Sequence, residues 1–104
     1  MGKIRLKSLE FRKEREGAWQ RLDALVRRVE RKGLRSLKEE ELLDLPKLYR
    51  HALSSLSVAR AISLDKNLLS YLEGLSQRAY LAVYGVRRHL RETLADFFLR
   101  AFPR

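Results

Sequence analysis

NLLSYLEGLSQRAYLAVYGVRRHLRETLADFFLRAF, residues Asn67–Phe102, reads as one long helix with two jobs. Its first half carries Leu68, Leu72, Leu75, Ala79, Ala82 and Val86, an apolar seam at steps of three and four. The seam continues through Leu90, Leu94, Phe97, Ala101 and Phe102, now beside Arg87, Arg88, Arg91 and Arg100. At 1.5 Å per residue such a helix spans ~54 Å. It is too long for its partners, so its end must pack on the first helix, on another copy or on a membrane. The closing aromatics Phe97, Phe98 and Phe102 need a partner. This stretch is expected to be the cut end of a longer protein.

Working outward, Leu9 to Lys32 is also helical, with Phe11, Ala18, Trp19, Leu22, Leu25, Val26 and Val29 on one face. Lys3 to Lys7 before it is a basic lead-in that either frays or joins the helix, and Ser8 is a candidate N-cap. Gly17 costs that helix ~1 kcal/mol against alanine, which its length tolerates. Gly33 follows as a C′ residue with a left-handed backbone. Ser36-Leu37-Lys38-Glu39 has the pattern of a capping box, and Glu39, Glu40 and Glu41 suit the positive end of a helix dipole. Leu42, Leu45, Leu48, Tyr49, Ala52, Leu53, Leu56 and Ala59 form the next apolar face. Pro46 interrupts it: either the helix kinks there or, as the slightly favoured reading, a short helix ends near Asp44 and a second begins with Pro46 in its first turn. The pattern breaks near Ile62, and Asp65 is the expected N-cap of the final helix. Gly85, in mid-helix, marks either a close contact or a bend.

The expected fold is all-α: an antiparallel helical bundle of three to four helices with a long C-terminal helix, in one domain over residues 1–104. Trp19, Leu22, Leu25, Leu45, Leu48, Leu53, Leu56, Leu72, Leu75 and Val83 are its expected core. A composition 45% hydrophobic is that of a chain that folds. Few glycines and two prolines fit helices.

Composition also excludes functions. There is no cysteine, hence no disulfide, thiolate metal site or cysteine nucleophile. No run approaches the ~20 apolar residues of a membrane span. The net charge of +10, from 23 basic against 13 acidic residues, predicts attraction to polyanions: nucleic acid, anionic lipid or an acidic protein. It equally fits the cytoplasmic part of a membrane protein.

No catalytic constellation emerges. His51 lacks a second ligand one turn away and His89 sits among arginines, so both are expected at the surface and no metal site is expected. Ser54, Ser55 and Ser57 have no neighbouring base. Neither a phosphate-binding glycine loop nor a dinucleotide fingerprint occurs, so no cofactor is expected. Tyr49, Tyr71, Tyr80 and Tyr84 recur at helical spacing and read as residues at the rim of the core. Arg27, Arg28 and Arg31, and Arg87, Arg88 and Arg91, have the spacing to grip phosphates, although a solvated helix face has the same pattern.

One ordered series of residues resembles a known family. It runs Trp19, Leu22, then Lys32-Gly33-Leu34-Arg35-Ser36-Leu37, Glu40-Glu41-Leu42, Leu45, Leu48-Tyr49-Arg50 and Ala59-Arg60-Ala61. Leu69, Tyr71, Leu72, Leu75, Arg78-Ala79, Tyr84 and Phe102-Pro103 complete it. The series, from about Phe11 to Pro103, resembles the N-terminal cytoplasmic region of the stage II sporulation protein M family; Pro46 stands where a helix former is expected. The resemblance implies a domain on the cytoplasmic side of the cell membrane, with transmembrane helices following it. In spore formers it implies a scaffold that localises peptidoglycan-degrading partners.

The functional expectation is therefore a non-enzymatic domain with a scaffold or protein-interaction role. Its membrane-proximal or interface residues are Arg87, Arg88, Arg91, Leu94, Phe97, Phe98, Arg100 and Phe102. Its expected partners are an anionic lipid surface and further copies of itself as a homo-oligomer. The alternative is a small basic helical nucleic-acid binder built on Arg27, Arg28, Arg31 and the later arginines, with no recognition-helix motif behind it.

Overall fold

A computed structural model describes the backbone of residues 2–62 and 65–101 and the side chains of residues 9–62 and 65–100. Three α-helices follow one another: α1 (Gly2–Lys32), α2 (Glu39–Ile62) and α3 (Lys66–Ala101), with a 3-10 turn at Leu34–Ser36 between the first two. The described residues contain no strand, so the fold is all-α. The molecule is a rod of 69 × 24 × 19 Å.

Polar contacts fix the directions. Arg28 meets Glu41, Arg21 meets Asp44 and Arg15 meets Ser55, so α1 and α2 run antiparallel. Tyr49 lies against Tyr80 and Arg60 against Glu73, so α2 and α3 are antiparallel as well. The α1 and α3 helices are consequently parallel, and Arg78 of α3 reaches Asp23 and Glu30 of α1. One apolar core joins all three, with Trp19, Leu22, Leu45, Leu72, Leu75, Val26 and Val86 fully buried.

Burial accounts for the departures from expectation. Leu53, expected inside, is 40% exposed, while Ala52 beside it and Ser55 fill the space between helices. Small side chains let the axes approach, and Leu53 falls one step off the buried stripe. Ser8 is not a cap, because α1 begins at Gly2 and runs through it. Pro46 does not end a helix. It sits inside a continuous α2, between the buried Leu45 and the partly buried Leu48 and Tyr49. Anchoring on both sides offsets the lost hydrogen bond to the Leu42 carbonyl.

The α1–α2 connection also differs. Gly33 has φ 82 and ψ 172, and its amide donates to the Val29 carbonyl at 2.8 Å, ending α1. The φ is positive as expected, but the ψ is extended, a combination essentially confined to glycine. Ser36 does not cap α2. Its hydroxyl donates to the Gly33 carbonyl at 2.7 Å. The cap lies two residues on, where the Lys38 amide donates to the Glu41 carboxylate at 2.9 Å. Leu37 is the reason: it is buried in the core, and α2 starts only after the chain has placed it there. Asp65 does cap α3, accepting from the amides of Asn67 and Leu68 at 3.0 and 3.2 Å. Gly85 marks a close contact, since a Cβ there would stand 3.2 Å from Leu34 Cδ1.

Pro46→Ala is expected to stabilise the bundle by up to about 3 kcal/mol, because it restores a helix-interior donor. Urea unfolding measures this. A loss of stability would mean that the ring's packing outweighs the missing bond.

Candidate interaction surface on the projecting half of α3

The long helix outruns its partners. Its last buried residue among the described ones is Val86, and every side chain from Arg87 to Arg100 is exposed. That stretch is ~20 Å long. The core stripe does not stop with the core, since Leu90, Leu94 and Phe97 lie at helical spacing beyond Val86. In the bundle the same stripe meets α1 and α2; here it faces outward, and Phe97 is 63% exposed. Phe97 and Phe98 pack edge to face, 6.2 Å between centroids.

Charge flanks this stripe unevenly. Arg88 pairs with Glu92 and Arg100 with Asp96, each along the helix at i,i+4. Arg87 and Arg91 make no ion pair among the described residues. The structure thus brings Arg87, Arg91, Leu94, Phe97 and Phe98 to one projecting segment, as the spacing predicts. Phe102 lies outside the described residues.

On the bundle itself six arginines face carboxylates. Arg12 pairs with Glu16, Arg27 with Asp23, and Arg28 with Glu41. Arg78 is the most constrained. Its guanidinium bonds Glu30 at 2.7 Å and Asp23 at 3.2 Å, which pushes its already high pKa further up. In return, Arg78 holds the Glu30 carboxyl below the usual carboxylate range. Glu41 is lowered too, by the Lys38 amide first and then by Arg28. Burial, with the Asp23 charge nearby, raises the Tyr71 hydroxyl.

Among the described residues chemistry-bearing groups do not converge. Trp19 Nε1, His51 Nδ1 and Ser76 Oγ are buried without a hydrogen-bond partner, and each lines a different cavity. His51 was expected at the surface but is half-buried beside Arg21, Asp44 and Lys47, because α1 covers that side of α2. His89 is exposed, as expected. Ser55 is fully buried and accepts a 3.4 Å bond from Arg15. Among the described residues no group of His, Asp and Glu is placed to hold a metal ion. Tyr80 and Tyr84 lie further out than the rim position expected of them, and sequence pattern gave no signal for that.

A family model described as Domain of unknown function (DUF8413) matches residues 9–85. The matched span is the packed bundle, and the exposed half of α3 lies beyond it. No curated protein and no solved structure matches the chain.

The lowered carboxyls set a pH dependence. Their stabilising effect is complete above the unfolded glutamate pKa of about 4.3 and is lost as pH falls through the lower folded values. The urea midpoint is therefore expected to drop below pH ~4. In Arg78→Gln the midpoint at pH 7 is expected to be lower and the acid drop smaller. A drop of unchanged size in the variant would show that the Arg78–Glu30 pair contributes nothing to it.

Proposed function

This chain belongs to the DUF8413 family, and from that premise we propose that it is a non-enzymatic interaction domain that engages an anionic membrane surface through the projecting half of α3. One observation carries the reading: an apolar stripe continues past the end of the core with Arg87 and Arg91 unpaired along its edge. A basic amphipathic helix of this kind buries its apolar face at the headgroup boundary while its cations meet lipid phosphates. No helix among the described residues is long and apolar enough to cross a membrane, so the contact proposed is with the bilayer surface.

The resemblance to the cytoplasmic region of the stage II sporulation protein M family supports a scaffold role at the cytoplasmic face of the cell membrane. The bundle serves as a rigid base that holds the half-helix out. The nucleic-acid reading draws less support. Arg12, Arg21, Arg27, Arg28, Arg60 and Arg78 each face a carboxylate, which leaves fewer cations for phosphates.

Vesicle sedimentation tests the proposal. The protein is expected to sediment with phosphatidylglycerol vesicles and not with phosphatidylcholine vesicles. Arg87→Gln with Arg91→Gln removes about 2 kcal/mol of surface attraction, roughly thirtyfold in partitioning. Both positions are exposed, so the fold survives. Equal sedimentation of the variant, or binding of both lipids alike, overturns the reading.

A further inference from the structure

A second exposed face runs along the bundle. Tyr49, Leu53, Leu56, Ser76, Tyr80 and Leu81 are among the residues lining an open groove of about 640 Å³ between α2 and α3. Leu81 is 69% exposed, and Ser76 Oγ is buried there without a hydrogen-bond partner. On α3 the edge of this groove continues as a stripe of its own. Gln77, Tyr80, Tyr84, Arg87, Arg91 and Leu94 follow one another at alternating steps of three and four, and all are exposed. That 3.5-residue period is the one a helix uses to pack along another helix.

The stripe is self-complementary about the point between Gly85 and Val86. Tyr84 mirrors Arg87, Tyr80 mirrors Arg91, Gln77 mirrors Leu94, and beside them Leu81 mirrors Leu90. We propose that the occupant of the α2–α3 groove is a second copy of this chain, its α3 antiparallel to the first across a two-fold axis at that point.

In this register each copy lays Arg87 and Arg91 on Tyr84 and Tyr80 of the other. Guanidinium groups stack well on tyrosine faces, and the two arginines have no other ion pair among the described residues. Leu81 of each copy meets Leu90 of the other, and Leu94 enters the groove beside Gln77. The projecting half of each α3 thus covers the exposed face of the other bundle, an isologous contact in which the same patch serves both subunits. No arginine faces an arginine, which disfavours neighbouring registers: a slip of one heptad would set Arg87 against Arg91. Arg87 and Arg91 together with Tyr80, Leu81, Tyr84, Leu90 and Leu94 bury on the order of 800 Å² per copy, the size of a standard stable interface. This dimer uses the arginines of the lipid contact, so the two states exclude each other.

The chain has no cysteine, which makes the register testable by disulfide trapping. Gln77→Cys and Leu94→Cys are made separately, then mixed and oxidised without lipid. The mixture is expected to give a covalent dimer, and each variant alone none, because identical positions would stand ~25 Å apart along the antiparallel helices. A cross-link formed by Gln77→Cys alone overturns the register. In sedimentation velocity the unmodified protein is expected to be dimeric, with Arg87→Gln plus Arg91→Gln raising the dimer Kd at least tenfold at unchanged helical circular dichroism. A monomer at all concentrations, or an unchanged Kd, overturns the proposal and leaves the lipid reading untouched.

Discussion

The apolar stripe of α3 is longer than the two helices that cover it, and most of the molecule's character follows from that mismatch. From Leu68 to Val86 the stripe is buried against α1 and α2. From Leu90 to Phe97 it has the same spacing and remains exposed. Apolar area left in water forgoes about 25 cal/mol per Å². A straight helix cannot fold back on its own bundle to recover it, and both contacts proposed above would cover it from outside. This is why the functional reading turns on an interaction and not on a pocket.

The bundle behind that helix is built to keep it straight and fixed in rotation. Arg78 bridges to Asp23 and Glu30, which locks α3 against a parallel α1. Leu34 presses on the backbone at Gly85, one residue before the last buried position. Exposed ion pairs are individually weak. Here they act on helices already joined by a common core, and their effect is to select one rotation and register of α3 over its neighbours. Arg87 and Arg91 consequently project on a definite side, next to the α2–α3 groove.

The positive charge is also distributed by this geometry. Six arginines on the bundle face carboxylates of a neighbouring helix or of their own. The net +10 is therefore not a uniform coat. Its unpaired part includes Arg87 and Arg91, where the apolar stripe emerges. Charge and exposed apolar surface coincide at that place, a combination that suits lipid headgroups and aromatic faces better than a phosphate backbone tracked over a long groove.

Periodicity alone made the helices, the long α3, the Asp65 cap and most of the core legible, because a 3.6-residue repeat of leucines on Trp19, Leu45 and Leu72 faces admits one secondary structure. The sequence also marked the projecting segment, since Arg87, Leu94 and Phe97 carry their chemistry wherever they stand. Local rules failed where a distant contact outweighed them. Pro46 stays inside α2 because Leu45 and Leu48 are anchored on either side. The cap of α2 moves from Ser36 to Lys38 because Leu37 must first reach the core. Leu53 lies outside because Ala52 and Ser55 fill the helix interface. The sequence by itself determined which segments are helical and which residues are apolar, since both are properties of neighbours along the chain. Only the tertiary structure decided where the core ends on α3 and which arginines remain unpaired, because both depend on residues of α1 and α2 far away in sequence.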